Sequence, residues 1–325
     1  MLRLGNRLRH PGRVSRLASA CGRSSPFVQS ASVPRMERRR LGRTEHRSSV
    51  AVLGCCAFGD GDQDTAHDAL HLALEAGVNH LDIAPSYGEA ERALGPSLPE
   101  VRDRVFLGCK TTERSGDAAR AEMEHSLELL GVDAFDLYQF HAVTSMDELA
   151  ALLAPGGAAE AVLAAREEGL TRFVGITGHF LDVPRVFLAA LDRLELDTVM
   201  FPVGIAHWRD AAYRASAEAL LEACAQRDVG VLAIKALARR PWGEARDQGD
   251  RGYGTWYEPL DEEEQALAAI SFTLSLPVTA FTTPCDRRLL PLALRAAERF
   301  APIDLAAAEA VLGGAELAPL AGPIG

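Results

Sequence analysis

The sequence predicts an α/β protein of the (β/α)8 TIM barrel class, a single domain preceded by a short hairpin. Eight apolar, strand-like segments alternate with helical segments rich in Ala, Leu and Glu, which is the element count of this fold. The strand segments are apolar almost throughout, as expected for parallel strands that are covered on both faces. The domain is predicted to occupy residues 36–325, a length that fits such a barrel.

The elements follow in a regular order. A hairpin is predicted around a turn at Gly42–Glu45, and the first barrel strand lies near Val50–Cys55. The helices show apolar spacing such as that of Leu70 and Leu74. Three glycines stand where helix C-caps belong, namely Gly77, Gly131 and Gly169. The other seven predicted strands are VNHLD (78–82), RVFLGCK (104–110), FDLYQFH (135–141), RFVGITG (172–178), TVMFPV (198–203), VGVLAI (229–234) and VTAFTT (278–283).

A doubly wound open sheet is the alternative architecture. Such sheets usually carry a G-x-G-x-x-G motif directly after a strand. The nearest match is GCCAFGDG (54–61), and its glycine spacing is wrong. The barrel is therefore the favoured prediction.

The composition of the chain limits the classes of binding partner that we expect. The net charge of -11 argues against nucleic-acid binding, which needs basic surface. No apolar run reaches the length of a membrane span, and the most apolar region, 266–281, is interrupted by Pro277. A small-molecule ligand is the remaining expectation, while the oligomeric state is left open.

The six cysteines are scattered, without a C-x-x-C pair. This pattern favours reduced thiols in the core over a disulfide framework or a zinc site, and we expect no metal. Reduced thiols in turn predict a cytoplasmic location.

Residues 1–35 contain seven Arg and no acidic residue. We expect this segment to be disordered and to play no part in the function. Its composition resembles a transit peptide, which makes an organelle the minor alternative for localisation. It is equally explained by a start codon assigned too early, in which case Met36 is the true start.

Polar, chemically active residues end several of the predicted strands. Asp82, Lys110 and His141 end three consecutive ones, and Tyr87 follows Asp82 in a Gly-flanked loop. In a barrel these ends ring one mouth, where active sites of this fold lie. Lys110 and Lys235 are the only two lysines, whereas the chain has 32 arginines, so lysine is retained where a compact ammonium is useful.

These residue types suit proton transfer to a carbonyl oxygen. Asp82 would keep Lys110 charged, and the ammonium would lower the pKa of the Tyr87 phenol from about 10 towards the working range. His141 could hydrogen-bond the same oxygen. The group contains no nucleophile with its base and no electron source, so it requires a hydride-donating cofactor.

The segments around these residues resemble the aldo-keto reductase family, in a divergent bacterial-type version. LDIAPSYGEAERALG (81–95) is similar to the family signature, and GCK (108–110) and QFH (139–141) match its Lys and His strand ends. The resemblance covers roughly residues 36–302. It implies a (β/α)8 barrel that binds NADPH, or alternatively NADH, and that reduces aldehydes and ketones or oxidises alcohols.

The resemblance also implies residue roles. Tyr87 would be the general acid/base, Lys110 and Asp82 would tune it, and His141 would position the carbonyl. On the cofactor side, GITGH (175–179) departs from the usual Ser-Asn pair, with Thr177 able to keep one hydrogen bond. The remaining cofactor contacts implied by position are Lys235 in VLAIKAL (231–237), and Thr283, Arg287 and Arg288 in TTPCDRRLL (282–290).

Two other functions remain open. One is a Schiff-base lyase that uses Lys110 or Lys235 as its amine, although Asp82 would keep Lys110 protonated. The other is a non-catalytic NADPH-binding sensor, suggested by the altered nicotinamide contacts. The aromatic loop 236–260, with Trp256 among its aromatics, is expected either to wall the substrate site or to pack on the barrel rim.

Overall fold

Eight parallel strands close into a barrel in a computed structural model that describes residues 36–243 and 252–322. Barrel neighbours follow chain order, and the last strand pairs with the first, with Phe281 opposite Ala51. All eight predicted barrel strands are confirmed. The strands are β1 (Arg38–Arg40), β2 (Arg47–Ser49), β3 (Ala51–Gly54), β4 (His80–Asp82), β5 (Phe106–Thr111), β6 (Phe135–Phe140), β7 (Thr171–Thr177), β8 (Thr198–Pro202), β9 (Gly230–Ile234), β10 (Ala238–Pro241), β11 (Tyr257–Pro259) and β12 (Ala280–Thr282).

Helices follow the barrel strands along the chain. Several begin at a side-chain cap, as where Asp62 accepts a hydrogen bond from the Thr65 amide at 2.9 Å. The predicted C-cap at Gly131 is confirmed, since its φ of 64° ends the fourth helix in the left-handed region. The helices are α1 (Gln63–Glu75), α2 (Ala90–Leu94), α3 (Leu98–Val101), α4 (Gly116–Leu130), α5 (Met146–Leu152), α6 (Ala158–Glu167), α7 (Val183–Leu191), α8 (Ile205–Trp208), α9 (Ala211–Gln226), α10 (Glu263–Ser275), α11 (Leu290–Glu298) and α12 (Leu305–Leu312).

The predicted N-terminal hairpin, β1–β2, closes the amino-terminal end of the barrel. Its Leu41 is fully buried and belongs to a small core cluster that also contains Val52 and Phe106. The turn needs glycine at position 42, because φ is 48° and a Cβ there would lie 2.2 Å from the Gly230 amide nitrogen. At the opposite, carboxyl-terminal end of the barrel lies a cleft whose lining includes Asp82 and Tyr87.

The aromatic loop predicted at 236–260 contains a second small hairpin, in which β10 pairs antiparallel with β11. Trp242 and Tyr257 are buried, whereas Trp256 is 43% exposed. Residues 244–251, like 1–35, lie outside the described part of the chain. Within that part, none of the helices is both long and apolar enough to cross a membrane.

A disulfide joins Cys56 to Cys285, so the prediction that all thiols are reduced is wrong for this pair. Cys56 follows β3 and Cys285 follows β12, and these strands are neighbours because the barrel is closed. The bonded residues are 229 apart in sequence, which hides the pairing from any inspection of spacing. Cys55, Cys109 and Cys224 are free and buried, as predicted.

Candidate active site

The barrel brings the four residues predicted to be catalytic to one mouth. Asp82 is the last residue of β4, Lys110 lies near the end of β5, and His141 directly follows β6. Tyr87 lies in the loop between β4 and α2. Because the strands are parallel and in register, their carboxyl ends share this rim.

Lys110 stands at the centre of the group. Its Nζ lies 2.6 Å from Asp82 Oδ2, 2.9 Å from Tyr87 Oη and 3.3 Å from the Ile83 carbonyl oxygen. Asp82 and Lys110 are each 1% exposed. All three ammonium hydrogens are thus engaged, and the predicted contact between Lys110 and both partners is present.

The protonation states of this group follow from burial and charge together. Burial disfavours the charged Lys110, but the adjacent Asp82 outweighs it and holds the pKa of the ammonium above its usual range. Burial raises the pKa of Asp82, and Lys110 opposes that rise. Burial also raises the pKa of Tyr87 to about 12, more than Lys110 lowers it. The sequence-based expectation of a lowered phenol pKa is therefore wrong, because burial outweighs the adjacent ammonium.

His141 faces Tyr87 across the mouth, with the ring centroids 5.9 Å apart and the rings nearly perpendicular. Ser86 Oγ lies 3.2 Å from its Nδ1, and His179 Nε2 lies 3.3 Å from its Nε2. Burial, assisted by the charge of Lys110, lowers the pKa of His141 well below the usual value. The imidazole is neutral at physiological pH and acts as a hydrogen-bonding group.

Three residues of this site were not singled out from the sequence, namely Ser86, Gln139 and His179. Gln139 Nε2 donates to Asp82 Oδ1 at 3.3 Å, on the side away from Lys110. Strand alternation places Gln139 on the same barrel face as His141, and this signal was available in the QFH segment. Ser86 and His179 lie in loops, where periodicity offers no comparable signal.

Two of the residues predicted to contact the cofactor line the same cleft. Thr283 and Lys235 line it together with Tyr87 and Asp82. Thr177 ends β7, and its Oγ1 is buried without a hydrogen-bond partner in the described part of the chain. Such an unmet polar atom fits a ligand amide.

Gly178 explains one departure from the usual Ser-Asn pair. A Cβ at this position would lie 2.7 Å from Val183 Cγ2 and 2.8 Å from the Val143 carbonyl oxygen. The backbone here therefore leaves no room for an asparagine side chain, and Thr177 is the polar group that remains.

Lys235 is an unusual cation. Its φ of 65° is rare for a side chain with a Cβ, and its Nζ donates to the His179 carbonyl oxygen at 2.8 Å. Burial lowers the pKa of Lys235 to about 7. Among the described residues, Lys235 forms no ion pair with a carboxylate that would offset the cost of burying its charge. The site would therefore favour binding of a ligand anion.

Arg287 and Arg288 line a neighbouring cleft, beside the disulfide. Arg287 is paired with Asp60, and the guanidinium of Arg288 makes two hydrogen bonds to Asp286, at 2.9 and 2.6 Å. Both arginines thus border one cleft, yet each already has a carboxylate partner.

Comparison with known proteins agrees with this geometry. The family model described as Aldo/keto reductase family matches residues 52–275. L-galactose dehydrogenase of Arabidopsis thaliana is 28% identical over 221 residues, which are 63% of this chain and 66% of that protein. The uncharacterized oxidoreductase YqkF of Bacillus subtilis is 24% identical over 74% of this chain and 80% of its own length. A 6-dehydroglucose reductase of Novosphingobium aromaticivorans is 32% identical over 32% of this chain and 40% of its own.

Solved structures show the same fold. Aldo-keto reductase AKR11C1 of Bacillus halodurans, in its holo form, superposes with a TM-score of 0.63 at 23% identity, covering 85% of this chain and 95% of that one. PA4992 of Pseudomonas aeruginosa gives a TM-score of 0.62 at 24% identity, covering 81% and 95%. With its family model matched over more than half its length, the chain belongs to the aldo-keto reductase family of nicotinamide-dependent oxidoreductases.

Proposed function

We propose that this protein transfers a hydride between NADP(H) and an aldehyde, ketone or alcohol, with Tyr87 as the general acid and base. The observation that carries the proposal is the 2.9 Å contact of Lys110 Nζ with Tyr87 Oη, next to the buried carboxylate of Asp82. The Lys110 ammonium would stabilise the phenolate that forms when Tyr87 gives up its proton, and carbonyl reduction requires this proton transfer.

The direction of the hydrogen bond supports this role. The Lys110 ammonium donates to the phenol oxygen, so Tyr87 does not donate to Lys110 and can direct its own hydrogen to a carbonyl oxygen in the cleft. With its pKa raised to about 12 by burial, Tyr87 is protonated at neutral pH and ready to act as an acid. A bound nicotinamide would supply the hydride.

His141 orients the oxygen that receives the proton. As a neutral imidazole, it can donate one N–H hydrogen bond to that oxygen, while Tyr87 remains the group that supplies the proton. Gln139 holds the second oxygen of Asp82, which keeps the first oxygen directed at Lys110.

Thr177, Thr283 and Lys235 are proposed as the contacts of the nicotinamide half of the cofactor. The unmet Oγ1 of Thr177 suits the carboxamide, and the uncompensated charge of Lys235 suits a phosphate. Thr283 lines the cleft while its Oγ1 accepts from the Gly54 amide at 2.9 Å.

Arg287 and Arg288 are proposed to hold the 2′-phosphate of NADP(H). Both arginines are already paired, with Asp60 and Asp286, and a 2′-phosphate would have to displace these carboxylates. NADH, which has no 2′-phosphate, is therefore the alternative cofactor. Comparing kcat/KM for NADPH and NADH decides between them. An Asp286→Asn variant should shift the ratio towards NADPH if Arg288 contacts the phosphate, and an unchanged ratio would exclude that role.

The test of the reaction uses purified protein, NADPH and a panel of aldehydes, followed by nicotinamide absorbance. Since two relatives are named for sugar-derived substrates, polyhydroxylated aldehydes belong in the panel. Tyr87→Phe should lower kcat by at least about 100-fold while NADPH fluorescence is still quenched. His125→Phe, at an exposed position on α4, is the matched control.

Three outcomes separate the alternatives. Absence of both turnover and NADPH quenching would refute the proposal. Unchanged turnover in Tyr87→Phe would remove Tyr87 from the reaction, and quenching without turnover would favour the sensor. Borohydride trapping of a substrate on Lys235 would support the lyase, whereas Lys110 has no free ammonium hydrogen in this arrangement.

A further inference from the structure

His179 is a second imidazole at the mouth of the barrel. It follows β7 and lines the cleft that also contains Tyr87 and Asp82. Its Nε2 lies 3.3 Å from His141 Nε2, and its ring meets Trp256 edge-on, with centroids 6.0 Å apart. The bond from Lys235 Nζ to its carbonyl oxygen fixes its backbone. His179 is therefore held beside the group that receives the carbonyl oxygen.

The contact between the two imidazoles requires one hydrogen and one lone pair. Burial lowers the pKa of both rings, that of His179 to about 3, with the nearby lysines acting in the same direction. Both rings are thus neutral at physiological pH, and each carries a single N–H. One Nε2 must donate and the other must accept.

The chemistry of the site decides which ring donates. To hold a carbonyl oxygen, His141 must carry its hydrogen on Nε2, and its Nδ1 then accepts from the Ser86 hydroxyl at 3.2 Å. His179 consequently accepts at Nε2 and carries its hydrogen on Nδ1. That Nδ1 is buried and has no partner within residues 36–243 and 252–322.

A carbonyl oxygen that takes the N–H of His141 would leave His179 with both nitrogens unmet. An unpaired buried polar group is costly, so a ligand that supplies the missing partner is favoured over one that does not. A hydroxyl can serve either nitrogen, since it both donates and accepts. The two Nε2 atoms lie 3.3 Å apart, a separation that a carbonyl oxygen and a hydroxyl on the neighbouring carbon can span.

We infer that His179 is a specificity residue that binds a hydroxyl on the carbon next to the carbonyl, so the preferred substrates are 2-hydroxy aldehydes and ketones. This inference rests on the proposed function and adds the substrate class. It assigns the two imidazoles separate oxygens, with the carbonyl at His141 and the neighbouring hydroxyl at His179.

The experiment varies residue 179 and, independently, the presence of a 2-hydroxyl group on the substrate. Initial rates are measured for propanal and 2-hydroxypropanal, with wild-type protein, His179→Phe, His179→Asn and the surface control His125→Phe. In His179→Phe, kcat/KM for 2-hydroxypropanal should fall at least about 10-fold more than kcat/KM for propanal. His179→Asn, which keeps a donor and an acceptor, should recover part of this difference, and His125→Phe should keep the wild-type ratio.

Equal losses for the two aldehydes in His179→Phe would overturn the inference, because they would show a role in the fold or in His141 alone. A wild-type protein without preference for 2-hydroxypropanal would overturn it as well, even if the variants failed to fold. Failure of the proposed function is distinguishable, since the wild-type protein would then reduce neither aldehyde.

Discussion

Replacing Lys110 by Met tests whether the buried ion pair organises the site. The substitution keeps most of the side-chain volume but removes the ion-pair partner of Asp82, which is 1% exposed and keeps the 3.3 Å bond from Gln139. Breaking a buried pair by removing one partner typically costs about 3–5 kcal/mol. We expect a loss of that size in the free energy of unfolding, measured with urea at about pH 8.

The loss should depend on pH in a defined direction. Without Lys110, burial raises the pKa of Asp82 above its unfolded value of about 3.9, so the folded protein loses stability as pH rises through that raised pKa. The deficit of the variant should therefore be smaller at about pH 5 than at about pH 8. Measuring unfolding at both values tests the sign.

The double variant Asp82→Asn with Lys110→Met supplies the control. It removes both charges, so it should be considerably more stable than the sum of the two single losses implies. A single-variant cost below about 1 kcal/mol, or strictly additive losses, would refute the account of Lys110 as the partner on which Asp82 depends.

Three further changes follow from other parts of the fold. Lys235→Met should stabilise the protein most below about pH 7, and progressively less as the pH rises towards 10.5. The reason is that burial lowers the pKa of Lys235 to about 7 in the folded protein, so folding disfavours its charged form. Urea titrations across this range measure the free energy of unfolding, and the reverse trend would contradict the prediction. Gly178→Ala should cost about 1–3 kcal/mol through its contact with the Val143 carbonyl, whereas Gly314→Ala, with open space around it, should be nearly neutral; equal effects in denaturant unfolding would count against the packing argument. Cys285→Ser should lower the free energy of unfolding by about 2–5 kcal/mol and make the melting temperature insensitive to dithiothreitol, and a melting curve that matches the oxidised wild type would exclude a stabilising bond.

Much of the fold and of the candidate site could be predicted because local patterns determine them. The parallel strands are nearly continuous apolar runs, and the closed barrel then brings Asp82, Lys110 and His141 to one rim regardless of loop detail. The contact of Tyr87 with Lys110 followed from the spacing of one loop.

Other features depend on quantities that the sequence does not contain. The direction of the pKa shift at Tyr87 depends on burial outweighing an adjacent ammonium, and only the folded cleft sets that balance. The pairing of Cys56 with Cys285 and the contact of His141 with His179 join loops from different βα units. Their partners become neighbours only once the barrel has closed.

The bond between Cys56 and Cys285 has a topological consequence. It turns the stretch from Cys56, after β3, to Cys285, after β12, two residues that are 229 apart in sequence, into a covalent macrocycle that contains most of the barrel. A single backbone nick within this ring, between residues 56 and 285, would leave the two fragments attached until the sulfurs were reduced. The same bond holds the loops after β3 and β12, which carry the paired Asp60 and Arg287, at a fixed separation.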